Sequence, residues 1–114
     1  MEYFESINRT ALVVSHKKPF LDWIKYVDPS TPMIDEKHDS KTVYLLPDDE
    51  GASDDWQRYL KKHFKEIFEQ ELGAWYTDPE TWPKDRPWKV FNEWLDYEFQ
   101  SIVYDTVAGS IKKE

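Results

Sequence analysis

The chain has no cysteine, only three glycines and no extended apolar run, and each shortage removes a class of explanation. Without thiols there is no disulfide framework, no cysteine nucleophile and no zinc–thiolate site. That composition suits a cytoplasmic location. The glycines at 51, 73 and 109 form no phosphate-cradling pattern, and no serine sits in a nucleophile elbow. Apolar runs reach only a few residues, far short of the roughly 20 that span a bilayer, so no membrane association is expected. The opening Met-Glu-Tyr-Phe-Glu has no basic region before an apolar one, so no signal peptide is expected either. Basic charge is also short: 15 Lys and Arg against 23 Asp and Glu leave a net charge of −8. Phosphate contacts dominate affinity for nucleic acid and anionic lipid, so a nucleic-acid partner is not expected.

What is abundant is aromatic area: six Trp, seven Tyr and six Phe in 114 residues. Each ring brings much surface to bury, so one core can form in a single domain, residues 1–114. Arg9-Thr-Ala-Leu-Val-Val-Ser15 is a β-branched run bounded by charge and predicts a strand near 9–15. Pro19 opens a helix near 19–27, with Phe20, Trp23, Ile24 and Val27 at helical spacing before Asp28-Pro29 ends it. Pro29 to Lys41 reads as a loop, and Thr42-Val-Tyr-Leu-Leu46 as a second strand. Asp48 to Ala52 is an acidic loop, after which Ser53 caps a helix near 54–72, with Asp54 and Asp55 at the positive end of its dipole. Trp56, Tyr59, Leu60, Phe64, Ile67, Phe68 and Leu72 form its apolar stripe, and Gly73 its expected stop. Phe91, Trp94, Leu95, Phe99, Ile102 and Val103 suggest a third helix near 86–108, capped by Asp85. The β-branched stretch 101–107 leaves a strand as the alternative there. The expected fold class is α/β or α+β: a small βαβ-type sheet with a right-handed crossover, covered by helices.

Polar residues that fall inside apolar arcs are the most specific chemical clue. At about 100° per residue, His63 lies between Trp56 and Tyr59, while Glu98 and Asp105 lie between Phe91 and Trp94. If the second and third helices pair antiparallel, His63 faces Asp96 to Glu98. His63, Glu98 and Asp105 are therefore the catalytic candidates of a small hydrolase-like acid–base enzyme. The reading that such a contact favours first is a buried polar pair that sets helix register.

The acidic group Asp48, Asp49, Glu50, Asp54 and Asp55 lacks the ligand order of an EF-hand. His16 and His38 have no His or Cys at ligand spacing, so no metal and no cofactor is expected. Lys61, Lys62 and Lys65 read as a solvated helix face; as a phosphate patch they would give salt-sensitive RNA or DNA binding. Trp75, Tyr76, Trp82 and Trp88 lie in or beside a proline-bearing loop. They read as a partner-binding surface or as a lid folded over the core. Glu66, Glu69 and Glu71 crowd the negative end of the second helix, where Lys84 or Arg86 can offset them.

Several segments resemble a widespread bacterial family of short proteins with no established activity. They are Asn8-Arg-Thr-Ala11, Lys18-Pro-Phe-Leu-Asp-Trp23, Val43-Tyr-Leu-Leu-Pro47, Trp75-Tyr-Thr-Asp78, Trp82-Pro83 and Phe91-Asn-Glu-Trp-Leu-Asp-Tyr-Glu-Phe-Gln-Ser101. The likeness runs from Asn8 to Val107 and implies His in relatives where this chain has Gln100, a side chain that cannot shuttle a proton. The expectation is a cytoplasmic, non-enzymatic binding or protein-interaction module, with a homodimer or another protein as partner. The acid–base enzyme is the alternative.

Overall fold

Strand residues 10, 12, 14 and 16 are buried, while residues 13 and 15 between them are half-exposed, and that period of two decides which face of the sheet is covered. The computed structural model describes residues 4–35, 37, 39–48 and 53–114, with the backbone alone for 53–55. Its elements are β1 (Glu5–Ser6), β2 (Arg9–His16), α1 (Lys18–Val27), β3 (Thr42–Pro47), α2 (Ser53–Trp75), α3 (Trp88–Trp94), β4 (Leu95–Gln100) and β5 (Tyr104–Asp105). A single 3-10 turn, Pro79–Thr81, lies between α2 and α3. The fold is α+β.

The main sheet has the order β3-β2-β4, and β1 and β5 form a separate two-stranded ribbon. All pairings are antiparallel, with Leu12 opposite Tyr44 on one side and Phe99 on the other. The strand–helix–strand order expected at the start of the chain is present. The right-handed crossover is not, because β3 returns beside β2 in the opposite direction. The handedness rule governs parallel strands only.

Helices cover one face. Leu12, Val14, Leu46 and Leu95 from the strands meet Phe20, Trp23 and Ile24 from α1, Leu60, Phe64, Ile67, Phe68 and Leu72 from α2, and Phe91 from α3. Phe91 is fully buried, with ring centroids 5.6 Å from Phe64, 5.8 Å from Phe68 and 5.6 Å from Trp88. On the other face of the sheet, Val43 and Leu45 stay exposed.

The expected third helix at 86–108 is the main correction. The helix is one short segment, Trp88–Trp94, with Pro87 and not Asp85 at its N-cap. Leu95 takes φ −124° and ψ 140°, and the chain runs straight into β4. Leu95, Tyr97 and Phe99 point to the core while Asp96, Glu98 and Gln100 point out, which is a strand's alternation. The stretch 101–107 holds β5, not helix. Two smaller differences concern α2. It passes through Gly73 to Trp75, where a bond from the Tyr76 N–H to the Leu72 carbonyl (3.0 Å) continues the helical pattern. Its expected cap at Ser53, with Asp54 and Asp55, and the acidic residues Asp49 and Glu50 lie outside the described side chains, as does His38.

Truncating Phe91 leaves a cavity among four rings. Phe91→Ala is expected to destabilise the protein by about 3–5 kcal/mol in urea unfolding, whereas Tyr26→Ala, at a residue 85% exposed, should stay within about 0.5 kcal/mol.

Candidate functional site: a buried imidazole between two carboxylates

His16 ends β2 on its covered face, in register with Thr10, Leu12 and Val14, so the strand's own period carries an ionisable ring into the core. Its Nδ1 lies 2.7 Å from Asp39 Oδ1, and its Nε2 lies 2.8 Å from Glu71 Oε1. Its backbone N–H also donates to Asp39 Oδ2 at 2.7 Å. A neutral imidazole has one donor and one acceptor nitrogen. With a carboxylate oxygen at each nitrogen, the geometry calls for the doubly protonated imidazolium. The ring stacks on Phe20, 4.1 Å between centroids and 19° from parallel.

Glu71 projects from the core side of α2, beside Ile67, Phe68 and Leu72. Besides His16 it accepts from Thr42 Oγ1 at 3.2 Å and from the Tyr44 hydroxyl in a short hydrogen bond. His16 is 7% exposed, Glu71 3%, and the Asp39 side chain 2%. Burial, the largest single influence on His16, pulls its pKa down. The hydrogen bonds to Glu71 and Asp39 and the charges of both outweigh it, so the pKa rises above the ordinary 6.5. Burial and the neighbouring Glu71 push the Tyr44 phenol far up, which keeps it a neutral donor. The cluster thus favours the protonated ring among fully engaged partners. Closed as it is, it presents no edge of the ring to a substrate. Neither does it form a metal centre: among the described residues no group of three His, Asp or Glu side chains is arranged to hold a cation.

The residues singled out from the sequence lie elsewhere. The His63 Nδ1 is 3.7 Å from Glu66 Oε2, too long for a hydrogen bond, and its ring packs on Tyr59 at 4.3 Å. It borders an open hollow of about 390 Å³ with Tyr44, Leu45, Glu66 and Gln70. Glu98 lies across from Val13, on the uncovered face of the sheet, in a separate hollow with Ser15, Lys41 and Asp96. Asp105 is on the ribbon and accepts from the Val107 N–H at 2.9 Å. The antiparallel helix pair that would have set His63 against Glu98 does not exist, because residues 95–100 are a strand.

The aromatic loop folds back. The Tyr76 hydroxyl donates to the Ile24 carbonyl at 2.6 Å, and Trp82 Nε1 donates to the Tyr76 carbonyl at 2.8 Å. Trp88 stacks on Phe91, 13° from parallel. Trp75 is the most exposed of the four, at 37%. Arg86 reaches Glu69 at 3.2 Å and lies over the Trp82 ring, and so offsets charge at the end of α2. No helix among the described residues is long and apolar enough to cross a membrane.

Sequence reasoning missed the His16 cluster because its partners are 23 and 55 residues away. The available signals were a histidine in register with a buried strand face and a glutamate in phase with the α2 stripe. No family model, curated protein or solved structure matches the chain.

The raised pKa of His16 sets the sign of a pH effect. The folded state holds its proton more tightly than the unfolded state, so this stabilisation is complete below 6.5 and is lost as pH rises through the folded value. The wild-type Tm should fall with rising pH above 6.5, and His16→Gln should flatten that slope; equal slopes in both proteins would refute the assignment. Glu71→Ala leaves His16 Nε2 and two hydroxyls without their acceptor, and should cost about 3–5 kcal/mol in chemical denaturation.

Proposed function

We propose that the chain is a cytoplasmic, non-enzymatic protein-interaction module, and that its contact surface centres on the β1–β5 ribbon and the segment after it. One observation carries this reading. Phe4, Ile102, Tyr104, Val107 and Ile111 are large apolar residues at least 57% exposed, and all lie at or beyond the ribbon. Large apolar side chains left in solvent along one part of the chain are candidates for a contact site. The closed state of the His16 cluster and the separation of His63, Glu98 and Asp105 weigh against the acid–base alternative. The inward bonds of Tyr76 and Trp82 shift the expected contact surface from the aromatic loop to the ribbon.

Site-specific photocrosslinking in cells tests it. A photoreactive amino acid at Ile102 should give discrete covalent adducts, and one at Lys25 on the far helix α1 should give none. Equal labelling at both sites, or none at Ile102, would contradict the proposal.

A further inference from the structure

We infer that the outer edge of β3 and the hollow beside it form a docking groove for an extended peptide segment of a partner protein, which joins the main sheet as an added strand. The groove uses none of the ribbon's residues, and neither reading depends on the other.

The backbone carries the first argument. β3 is an edge strand, at one end of the order β3-β2-β4. The Lys17 N–H, just past β2, donates to the Trp94 carbonyl at 2.8 Å, so odd-numbered residues of β2 turn their N–H groups toward β4. Even-numbered residues turn toward β3, and the His16 N–H on that side is taken by Asp39, in the connection leading to β3. Thr42, Tyr44 and Leu46 stand opposite Val14, Leu12 and Thr10 and therefore bond inward. The N–H and carbonyl groups of Val43 and Leu45 face outward, and among the described residues nothing bonds them. Exposed edges are commonly blunted by charge or proline. The opposite edge, β4, carries Asp96 and Glu98. Thr42 to Leu46 carries no charge, and only the terminal Pro47 limits pairing.

The hollow carries the second argument. It encloses about 390 Å³ between Tyr44 and Leu46 of β3 and the stripe Tyr59, His63, Glu66 and Gln70 of α2. At 1.5 Å per residue that stripe extends about 16 Å, the length of roughly five strand residues. Bonds from Thr42 and Tyr44 to Glu71 hold the helix against the strand. The Tyr59 and His63 rings, 4.3 Å between centroids, give the hollow an aromatic wall. Every second side chain of an added strand points to the same face of the sheet. Alternate peptide residues therefore enter the hollow, and those between them lie beside Val43 and Leu45 on the uncovered face. Main-chain bonds supply affinity in such a groove, and the hollow supplies specificity. Charge selects the sequence: the border carries the Glu66 carboxylate, 73% exposed, and no Lys or Arg. The fitting segment is basic, with apolar residues at alternate positions.

The test uses the purified full chain and a phage-displayed library of random peptides. Selected sequences should be basic with alternating apolar residues. Once synthesised and added to the chain, they should protect the Val43 and Leu45 amides from hydrogen exchange. N-methylation of a peptide residue removes its backbone donor. Methyl groups at one parity should weaken binding roughly tenfold or more, and at the other parity by less than about twofold. Glu66→Lys should weaken binding by a similar factor, whereas Glu98→Lys on the opposite edge should not. Both side chains are exposed, so neither variant disturbs the core. Failure to select any peptide, binders that protect β4 instead, or losses that do not alternate along the peptide each overturn the groove. A chain that doubles its mass in solution and protects Val43 and Leu45 without peptide also overturns it, since the occupant is then a second copy.

Discussion

The clamp of His16 between Asp39 and Glu71 joins three parts of the chain that share no local sequence. His16 closes β2, Asp39 sits in the long connection before β3, and Glu71 belongs to α2. The imidazolium needs both carboxylates, since an unpaired buried charge is strongly unfavourable. Glu71 in turn needs the hydroxyls of Thr42 and Tyr44, which set the start of β3 against α2. A buried ionic cluster of this kind adds little net stability over an apolar replacement, but it penalises every arrangement in which its members are apart. It therefore acts as a register pin: helix, sheet and connection lock together in one alignment, and the surrounding rings pack against it.

Much of the scaffold was readable from local pattern. The strands at 9–15 and 42–46 stood out because β-branched and aromatic residues were bounded by charge and proline, and α1 because Pro19 and Asp28 mark its ends. The stretch after Trp94 was misread for a specific reason. Leu95 and Phe99 satisfy both a spacing of four and an alternation of two, so they fit a helix and a strand equally. Tyr97 breaks the tie, since it packs against the core with them only in a strand. No glycine or proline marks the change, which occurs in the backbone of Leu95 alone.

The candidate site was hidden by distance more than by chemistry. His63 interrupts a visible helical stripe, yet at the edge of α2 it packs on Tyr59 and lies near Glu66. His16 shows no ligand spacing to another His or Cys, because its partners are carboxylates from remote segments. The functional reading follows from the contrast between the two ends of the molecule. At one end the ionisable groups of the His16 cluster are engaged and closed off. At the other, a short ladder with Glu5 opposite Asp105 carries apolar side chains into solvent.

Amide hydrogen exchange of the Ile7 N–H, followed against protein concentration, tests that account most directly. If association covers the ribbon, protection at Ile7 should rise with concentration while the amides of Leu12 and Val14, deep in the main sheet, stay constant. Protection at Ile7 that is independent of concentration and of any added partner would contradict it.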